Sequence, residues 1–337
     1  MAVTGSIDNP ILNGPYDAPA LHFELGSNGP TGTVLDGRRP SESFIPVPAP
    51  RKGKNKSQQT LDFDVTGERR EVNQLVNDIR YEVNVWRQRG YPGVTPISRK
   101  LLQHWADPDR ENRVMFCQRE AAETAIFLAE AAGRAQTRIN YRSRLEADNA
   151  IHNTGLPRVG LKMATGAGKT VVMAMLIAWQ TINKVYSPRD ARYSKRFLVV
   201  TPGITIRDRL RVILPNDGDN YYRQRDLVPH DLWGALNEAQ IVITNYHSFL
   251  PRTAKAMQGV ASNTRKILTA DKKVDPFVES PDQIVTRVLR DLGGRSGGSS
   301  KAGEVVVIVE DSVIVVQQRV GNFRFDATFR TDYVSGS

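Results

Sequence analysis

Residues 158–184 read RVGLKMATGAGKTVVMAMLIAWQTINK, and they carry the pattern from which the class of fold follows. Its first part has the apolar residues of a short buried strand, its middle is a turn with glycines at positions 166 and 168, and its last part is an apolar helix. A strand that runs through such a turn into a helix points consecutive backbone N–H groups, and the positive end of the helix dipole, at an anion. The stretch therefore predicts a phosphate-binding loop.

The polar side chains of this loop suit a nucleotide with a bound metal ion. Lys169 is placed to reach the β- and γ-phosphates, and the Thr170 hydroxyl is placed to ligate Mg²⁺. The strict pattern G-x-x-x-x-G-K-[ST] has glycine where this chain has Met163, and a plain turn before a basic helix start is the alternative interpretation. The flanking strand and helix favour nucleotide binding, so we expect ATP and Mg²⁺ at Thr165, Gly166, Ala167, Gly168, Lys169 and Thr170.

Strands and helices alternate after the loop. Apolar strands are predicted in RFLVVTP (196–202), AQIVITNYHSF (239–249) and VVVIV (305–309), with a helix in IRDRLRVIL (206–214). A chain that alternates in this way builds a parallel sheet, because parallel neighbours need crossover connections. We therefore predict an α/β domain over residues 113–315.

The region before this domain is predicted to be helical, after an irregular start. Apolar residues recur every three or four positions from 72 to 86, Thr95 and Pro96 are typical of a helix N-cap and first position, and a third helix is predicted over 118–132. Eight of the 19 prolines fall in the first fifty residues. The predicted organisation is an irregular arm (1–66), a helical accessory region (67–112), the α/β domain (113–315) and an atypical tail (316–337).

Composition excludes several classes of protein. With Cys117 as the one cysteine, the chain cannot form an internal disulfide or a cysteine-based zinc cluster, so a cytoplasmic protein is expected. No apolar run is long enough to cross a membrane. The net charge is +10, and since the first fifty residues carry −3, the remainder carries +13. This excess suggests a polyanionic partner.

Several motifs together resemble one protein family. The loop MATGAGKT (163–170) resembles motif I of superfamily 2 helicase-like ATPases, in particular the Res subunits of type III restriction enzymes. MFCQREAAETAIFL (115–128), VVTPGITIRDRL (199–210) and IVITNYHSF (241–249) are similar to further segments of that group, and the similarity extends over most of residues 8–310. It implies a three-layer RecA-like fold, an ATP-dependent hydrolase of the helicase or restriction endonuclease type, and Gln118 as the residue that reads the adenine edge.

The resemblance also implies partners and the residues that contact them. Double-stranded DNA and a methyltransferase (modification) subunit are the implied partners. Arginines on one helix can equally be a solvated face, and His247 has no partner at ligand spacing for a metal. The implied DNA-binding residues are Thr201, Pro202, Gly203, Arg207, Thr244 and Asn245.

The acidic motif after the last predicted strand departs from the family. The family has Asp-Glu at this point, whereas this chain has Glu310-Asp311. Glu310 is expected to hold Mg²⁺ and, with Asp311 and Lys169, to form the catalytic set, but Asp311 is one methylene shorter than the family's base. The alternative interpretation is that Glu310 and Asp311 are ordinary residues at the end of an exposed strand. We therefore expect the front part of a restriction-type motor. The alternative is a catalytically inactive nucleotide- and DNA-binding module left by truncation, and a small-molecule kinase is disfavoured by the Gln118 segment.

Overall fold

A computed structural model describes residues 9–26, 29–48, 65–133, 140–152, 159–252, 279–292, 304–309 and 313–319. The strands are β1 (Leu21–Gly26), β2 (Gly29–Asp36), β3 (Glu42–Pro48), β4 (Val65–Val72), β5 (Val159–Leu161), β6 (Arg196–Thr201), β7 (Gln240–Asn245), β8 (Glu304–Val309) and β9 (Val313–Arg319). The α-helices are α1 (Gln74–Gln88), α2 (Pro96–Ala106), α3 (Phe116–Ile126), α4 (Tyr141–His152), α5 (Lys169–Tyr186), α6 (Ile204–Arg209), α7 (Tyr221–Gln224), α8 (Trp233–Leu236) and α9 (Pro281–Val288). Shorter turns are a π-helical turn at Phe127–Ala131 and 3₁₀ turns at Leu210–Ile213, His230–Leu232, Tyr246–Phe249 and Arg290–Leu292.

The central sheet has the strand order β5-β9-β8-β6-β7. Strand β6 is parallel to β7 and to β8, which confirms the predicted parallel pairing for these three strands. The expectation of a wholly parallel sheet is wrong, because β9 is antiparallel to both β8 and β5. Only three residues separate Val309 from Val313, and a connection this short turns the chain back on itself, whereas a parallel neighbour needs a long crossover.

Although β9 is antiparallel to its neighbours, the other four strands of the sheet all run in one direction. Since β5 and β8 both run against β9, they run in the same direction as each other and as β6 and β7. The carboxyl ends of four strands therefore meet at one edge of the sheet, where open α/β sheets bind their ligands.

Helix α5 lies in the main core. All thirteen residues from Val171 to Asn183 are buried, so the helix is enclosed on every side, as its mostly apolar sequence predicts. Alternate strand residues face it, among them Phe197, Val199, Val306 and Ile308. A second apolar cluster, formed by Leu198, Leu289, Leu292 and Val305, packs apart from this core. The complete three-layer architecture implied by the family stays a prediction.

The helical region before the sheet agrees with its prediction in most details. The Thr95 hydroxyl accepts a hydrogen bond from the Ser98 amide, and Pro96 takes the first helical position of α2. Helix α1 buries Ile79, Val83 and Trp86. Val72 of the predicted helical face instead ends β4 and is exposed.

The N-terminal arm is more ordered than predicted. Strands β1 and β2 form one antiparallel pair, and β3 and β4 form another. Strand β2 is exposed along seven of its eight residues, so it has no buried face to impose the alternation that identifies a strand in sequence. Helix α4 was not predicted, for a similar reason: Tyr141 is its one buried residue, so its sequence shows no apolar face. Among the described helices, none combines the length and the apolar character that crossing a membrane requires.

Candidate functional site

The phosphate loop, residues 164–170, connects β5 to α5. Gly166 and Gly168 have φ of +80° and +78°, a left-handed conformation that glycine adopts without strain. Gly168 is the N-cap of α5, and a tight turn closes through a hydrogen bond from the Ala167 amide to the Ala164 carbonyl over 3.2 Å. The glycines therefore have the conformational role that the sequence assigned to them.

The loop leaves hydrogen-bond donors unpaired. Within the described part of the chain, the backbone amides of Gly166, Gly168, Lys169 and Thr170 donate to no protein acceptor. The Lys169 and Thr170 side chains are half-buried at the first turn of the helix, and the Lys169 ammonium has no ion-pair partner among the same residues. Unpaired amides at the amino end of an 18-residue helix, next to a lysine, make a site with the positive potential that phosphate oxygens require.

Gln118 lies directly against the phosphate loop. Its Nε2 donates to the Ala167 carbonyl over 3.0 Å, and its Oε1 accepts from the Met115 amide over 3.2 Å. The side chain is 5 % exposed. A carboxamide has two N–H groups and two oxygen lone pairs, so one donor and one acceptor site are still available to a ligand.

The contact with Gln118 leaves no room for a side chain at position 168. A Cβ atom built on Gly168 would lie 2.2 Å from Gln118 Nε2. A Cβ built on Gly166 would meet nothing within 4 Å. Glycine is therefore favoured at both positions by its backbone conformation, and at position 168 a side chain would in addition displace the end of the Gln118 side chain.

Three of the predicted DNA-binding residues lie together at the ends of β6 and β7. Thr201 pairs in register with Asn245, and the preceding pair joins Val200 to Thr244. The Thr201 hydroxyl donates to the Gly203 carbonyl over 2.9 Å and is buried, as is Thr244. The Asn245 side chain caps the following turn by accepting from the Ser248 amide. These polar groups stabilise the two loops, and the neighbouring Pro202 is exposed.

Arg207 lies on the helix that follows the β6 loop, and its backbone amide donates to the Gly203 carbonyl over 3.3 Å. It is exposed on α6 and forms a 3.3 Å ion pair with Asp208. With Arg211 it lines a depression of about 300 Å³ between α6 and β7, whose floor includes Ile241 and Ile243. The adjacent ion pair partly neutralises Arg207, so its charge is less available to DNA than that of a free arginine.

The two predicted catalytic carboxylates, Glu310 and Asp311, lie outside the described residues. Strand β8 is described up to Val309, which pairs with Val200 of β6 near the loop formed by residues 201–203.

Sequence reasoning missed a network of buried charges on α3. Glu123 is fully buried, and Arg87 donates to its Oε2 from Nη2 at 2.5 Å and from Nε at 2.8 Å. The Tyr91 hydroxyl donates to Glu123 Oε1 over 2.8 Å, and Arg119 lies 3.4 Å from the same oxygen. Burial, with the charge of Glu123 second, raises the pKa of Tyr91 above its usual range. This network fixes the accessory helices to the helix that carries Gln118.

A second buried carboxylate, Glu130, lies seven residues after Glu123. It accepts from the Ser98 hydroxyl at 2.5 Å, the Trp179 indole at 2.7 Å and the Thr95 amide at 2.8 Å. These donors belong to α2 and α5, so Glu130 joins both helices to the turn after α3. The sequence contains a signal of these buried charges. Two acidic residues lie seven positions apart in a helix, among alanine, isoleucine and phenylalanine. A charged side chain among such residues is buried only when it has partners.

Comparison with known proteins agrees with this geometry. No curated protein and no solved structure matches the chain. One family model matches residues 116–273, a segment that begins at α3 and includes the phosphate loop and β6 to β7. That model is described as type III restriction enzyme, res subunit. Residues 116–273 therefore match the res-subunit family of type III restriction enzymes, which is part of the superfamily 2 helicase ATPases.

Proposed function

We propose that the chain binds ATP with Mg²⁺ at the phosphate loop and double-stranded DNA at the loops after β6 and β7, as the motor part of a type III restriction system with a methyltransferase partner. The three-layer RecA-like fold belongs to the same proposal. The observation that carries it is the joining of Gln118 to the loop through the Ala167 carbonyl. This contact brings a carboxamide with spare hydrogen-bonding capacity to the place where phosphates would lie.

The residues of the loop fit a nucleotide and its metal ion. Lys169 and the unpaired amides are donors for phosphate oxygens, and the Thr170 hydroxyl is a hard oxygen ligand of the kind that Mg²⁺ accepts. Glu310 completes the metal site in this proposal, and Asp311 is the base for the attacking water. A bound Mg²⁺ ion would offset the negative charge of the phosphates, while Lys169 orients them.

DNA is the favoured polyanion because of where the polar loops lie. Thr201, Gly203, Thr244 and Asn245 lie at the same edge of the sheet as the phosphate loop. In this proposal the buried Thr201 and Thr244 hold the two loops in shape, and the half-buried Asn245 amide and the exposed backbone at Pro202 contact the phosphate backbone of DNA, with no base-reading element required. Nucleotide and DNA would then contact loops at the same edge of one sheet.

A second candidate function, favoured by the order Glu310-Asp311, is an inactive module that binds nucleotide and DNA without turnover. The shorter aspartate side chain withdraws the base from the water by about one carbon–carbon bond, and misplacement on the order of 1 Å can cost about a hundredfold in rate. Steady release of phosphate from ATP, measured with and without DNA, separates a motor from such a module.

The proposal is tested by two binding titrations on the full chain. Fluorescent ATP is titrated with Mg²⁺ and with excess EDTA, and we expect markedly weaker binding in EDTA. Fluorescent duplex DNA is titrated between about 50 and 200 mM salt, where phosphate contacts predict a steep loss of affinity with little preference for sequence. Absence of ATP binding in Mg²⁺ would refute the nucleotide site, and DNA affinity that does not respond to salt would refute the DNA assignment.

A further inference from the structure

The N-terminal segment, residues 9–41, contacts α3 in its first turn and at the residue that follows this turn. The carbonyl of Pro15 accepts a hydrogen bond from the Phe116 amide over 2.8 Å. This amide is the first of the helix and has no acceptor within it. Beside it, the guanidinium of Arg113 stacks over the ring of Tyr16 at 4.5 Å. The start of α3 is thus capped by a distant part of the chain.

Arg38 makes the second contact. Its Nη1 and Nη2 donate to Glu120 Oε1 and Oε2 over 2.5 and 2.6 Å, a bidentate pair. The Glu120 side chain is 13 % exposed and that of Arg38 33 %. Two parallel charge-assisted hydrogen bonds fix orientation as well as distance. Arg38 therefore fixes Glu120 more firmly than an ordinary surface ion pair would.

These contacts bracket Gln118. The segment contacts position 116 through Pro15 and position 120 through Arg38, and Gln118 lies midway between the two. Gln118 in turn holds the phosphate loop through the Ala167 carbonyl. One short run of α3 therefore joins the N-terminal segment to the loop.

Hydrogen bonds within the segment and to α1 hold it in place, so that Arg38 can fix the position of Glu120. The Asn13 side chain accepts from the Ala20 and Leu21 amides, and the Gly37 amide donates to the Ala20 carbonyl over 2.6 Å. The Ser41 amide donates to Asn77 Oδ1 of α1 over 2.8 Å. Arg38 thus lies between two anchored points, at Gly37 and Ser41.

We infer that the N-terminal segment is a positioning element of the nucleotide site, in which Arg38 acts through Glu120 to hold Gln118 against the phosphate loop. The inference rests on the proposed function for its nucleotide consequence, but the coupling itself is a property of the free protein. Among the described residues, the other cation in ion-pair contact with Glu120 is Arg87, at 4.0 Å, which is already engaged by Glu123. Without Arg38, Glu120 would compete with Glu123 for Arg87, and the first turn of α3 would loosen.

The test is hydrogen–deuterium exchange on the full chain without nucleotide, comparing Arg38→Ala with Arg39→Ala. Arg39 is a matched control, since it is the next residue and its guanidinium donates to the Phe23 carbonyl within the segment. We expect Arg38→Ala to speed exchange about fivefold or more at 116–120 and at the hydrogen-bonded amides of the phosphate loop and helix start, those of Ala167, Val171 and Val172, with the buried middle of α5 unchanged. Arg39→Ala should leave both stretches as in the wild type.

Two results would overturn the inference: exchange in the phosphate loop that Arg38→Ala leaves unchanged, or exchange that rises equally throughout the chain. If Arg38→Ala does not fold, Glu120→Gln replaces it, because it removes the charge of the partner and keeps its shape. A nucleotide titration then adds a second readout, in which Arg38→Ala should lower the preference for ATP over GTP in the same direction as Gln118→Ala. A wild type that binds no ATP would refute the proposed function, while the exchange result would still decide the coupling.

Discussion

The side-chain amide of Gln118 donates to the backbone carbonyl of Ala167 over 3.0 Å and so fastens α3 to the phosphate loop. The oxygen of the same carboxamide accepts from the Met115 amide at the start of α3. Gln118 thus lies between a helix start and a glycine-rich turn, with hydrogen-bonding capacity left for a ligand. Because of this contact, packing as well as backbone conformation restricts which residue position 168 accepts.

Replacing Gly168 by alanine should weaken ATP binding more than replacing Gly166. Both residues have positive φ, and alanine there costs about 1–2 kcal/mol of backbone strain. At position 168 the new methyl group also collides with Gln118. ATP affinity is measured for both variants, and Gly203→Ala, which has open space and negative φ, serves as the neutral control.

The double variant Gln118→Ala with Gly168→Ala isolates the collision. The double variant lacks the obstructing side chain. We therefore expect Gly168→Ala to weaken ATP binding in the Gln118→Ala background no more than Gly166→Ala weakens it in the wild type. An undiminished loss would show that Gln118 does not restrict this position.

Gln118→Ala should reduce the discrimination between ATP and GTP. A carboxamide pairs with the donor and acceptor on the adenine edge, and loss of such a bidentate contact weakens selectivity by about 1–3 kcal/mol. Competition of unlabelled ATP and GTP against a fluorescent nucleotide measures the ratio. Equal ratios for wild type and variant would assign Gln118 a purely structural role.

The sequence predicted the phosphate loop and the parallel strands well because each is a local pattern. Glycines around 166–168 and a wholly apolar helix have few other interpretations, and Thr95 with Pro96 marked the start of α2. Strand β9 could not be oriented in the same way, since its residues form a strand in either direction. The three-residue connection after Val309 decides its orientation, and this connection lies beyond the last motif that resembles the family.

The buried charges were harder to foresee because their partners are distant in the chain. Glu123 is 36 residues from Arg87 and Glu120 is 82 residues from Arg38. Two residues so far apart in the sequence form no periodic pattern from which their pairing could be predicted. The N-terminal strands were missed because β2 is exposed almost throughout, so the proline and glycine content dominated the prediction.

Glu123→Gln should destabilise the protein by about 3 kcal/mol, since removing the charge leaves Arg87 and Arg119 without full compensation in a buried site. Urea denaturation measures the free energy of unfolding. Glu146→Gln is the matched control, because Glu146 pairs with Arg142 at the surface of α4, and it should change stability by less than about 0.5 kcal/mol. Similar losses in both variants would contradict a special role for the buried network.

Tyr91→Phe should remove stability that the wild type has at neutral pH and loses at alkaline pH. Burial and the neighbouring Glu123 raise the pKa of Tyr91 in the folded protein, so its hydrogen bond contributes fully below the unfolded pKa of about 10 and is lost as pH rises through the folded pKa. The wild type should be more stable than the variant at pH 8, with the gap narrowing above about pH 10. Thermal unfolding across this range gives the measurement, and a gap that widens would reverse the predicted sign.

Calorimetric titration of ATP and Mg²⁺ into the wild type, Lys169→Ala and Lys195→Ala measures whether residues 164–170 bind the phosphates of ATP. Lys195 pairs with Glu238 at the surface, remote from the loop, so its variant should bind as the wild type does. Lys169→Ala removes a charge-assisted contact of roughly 1.5–3 kcal/mol and should bind about tenfold or more weakly. Equal ATP affinity for the wild type and Lys169→Ala would contradict phosphate binding at these residues.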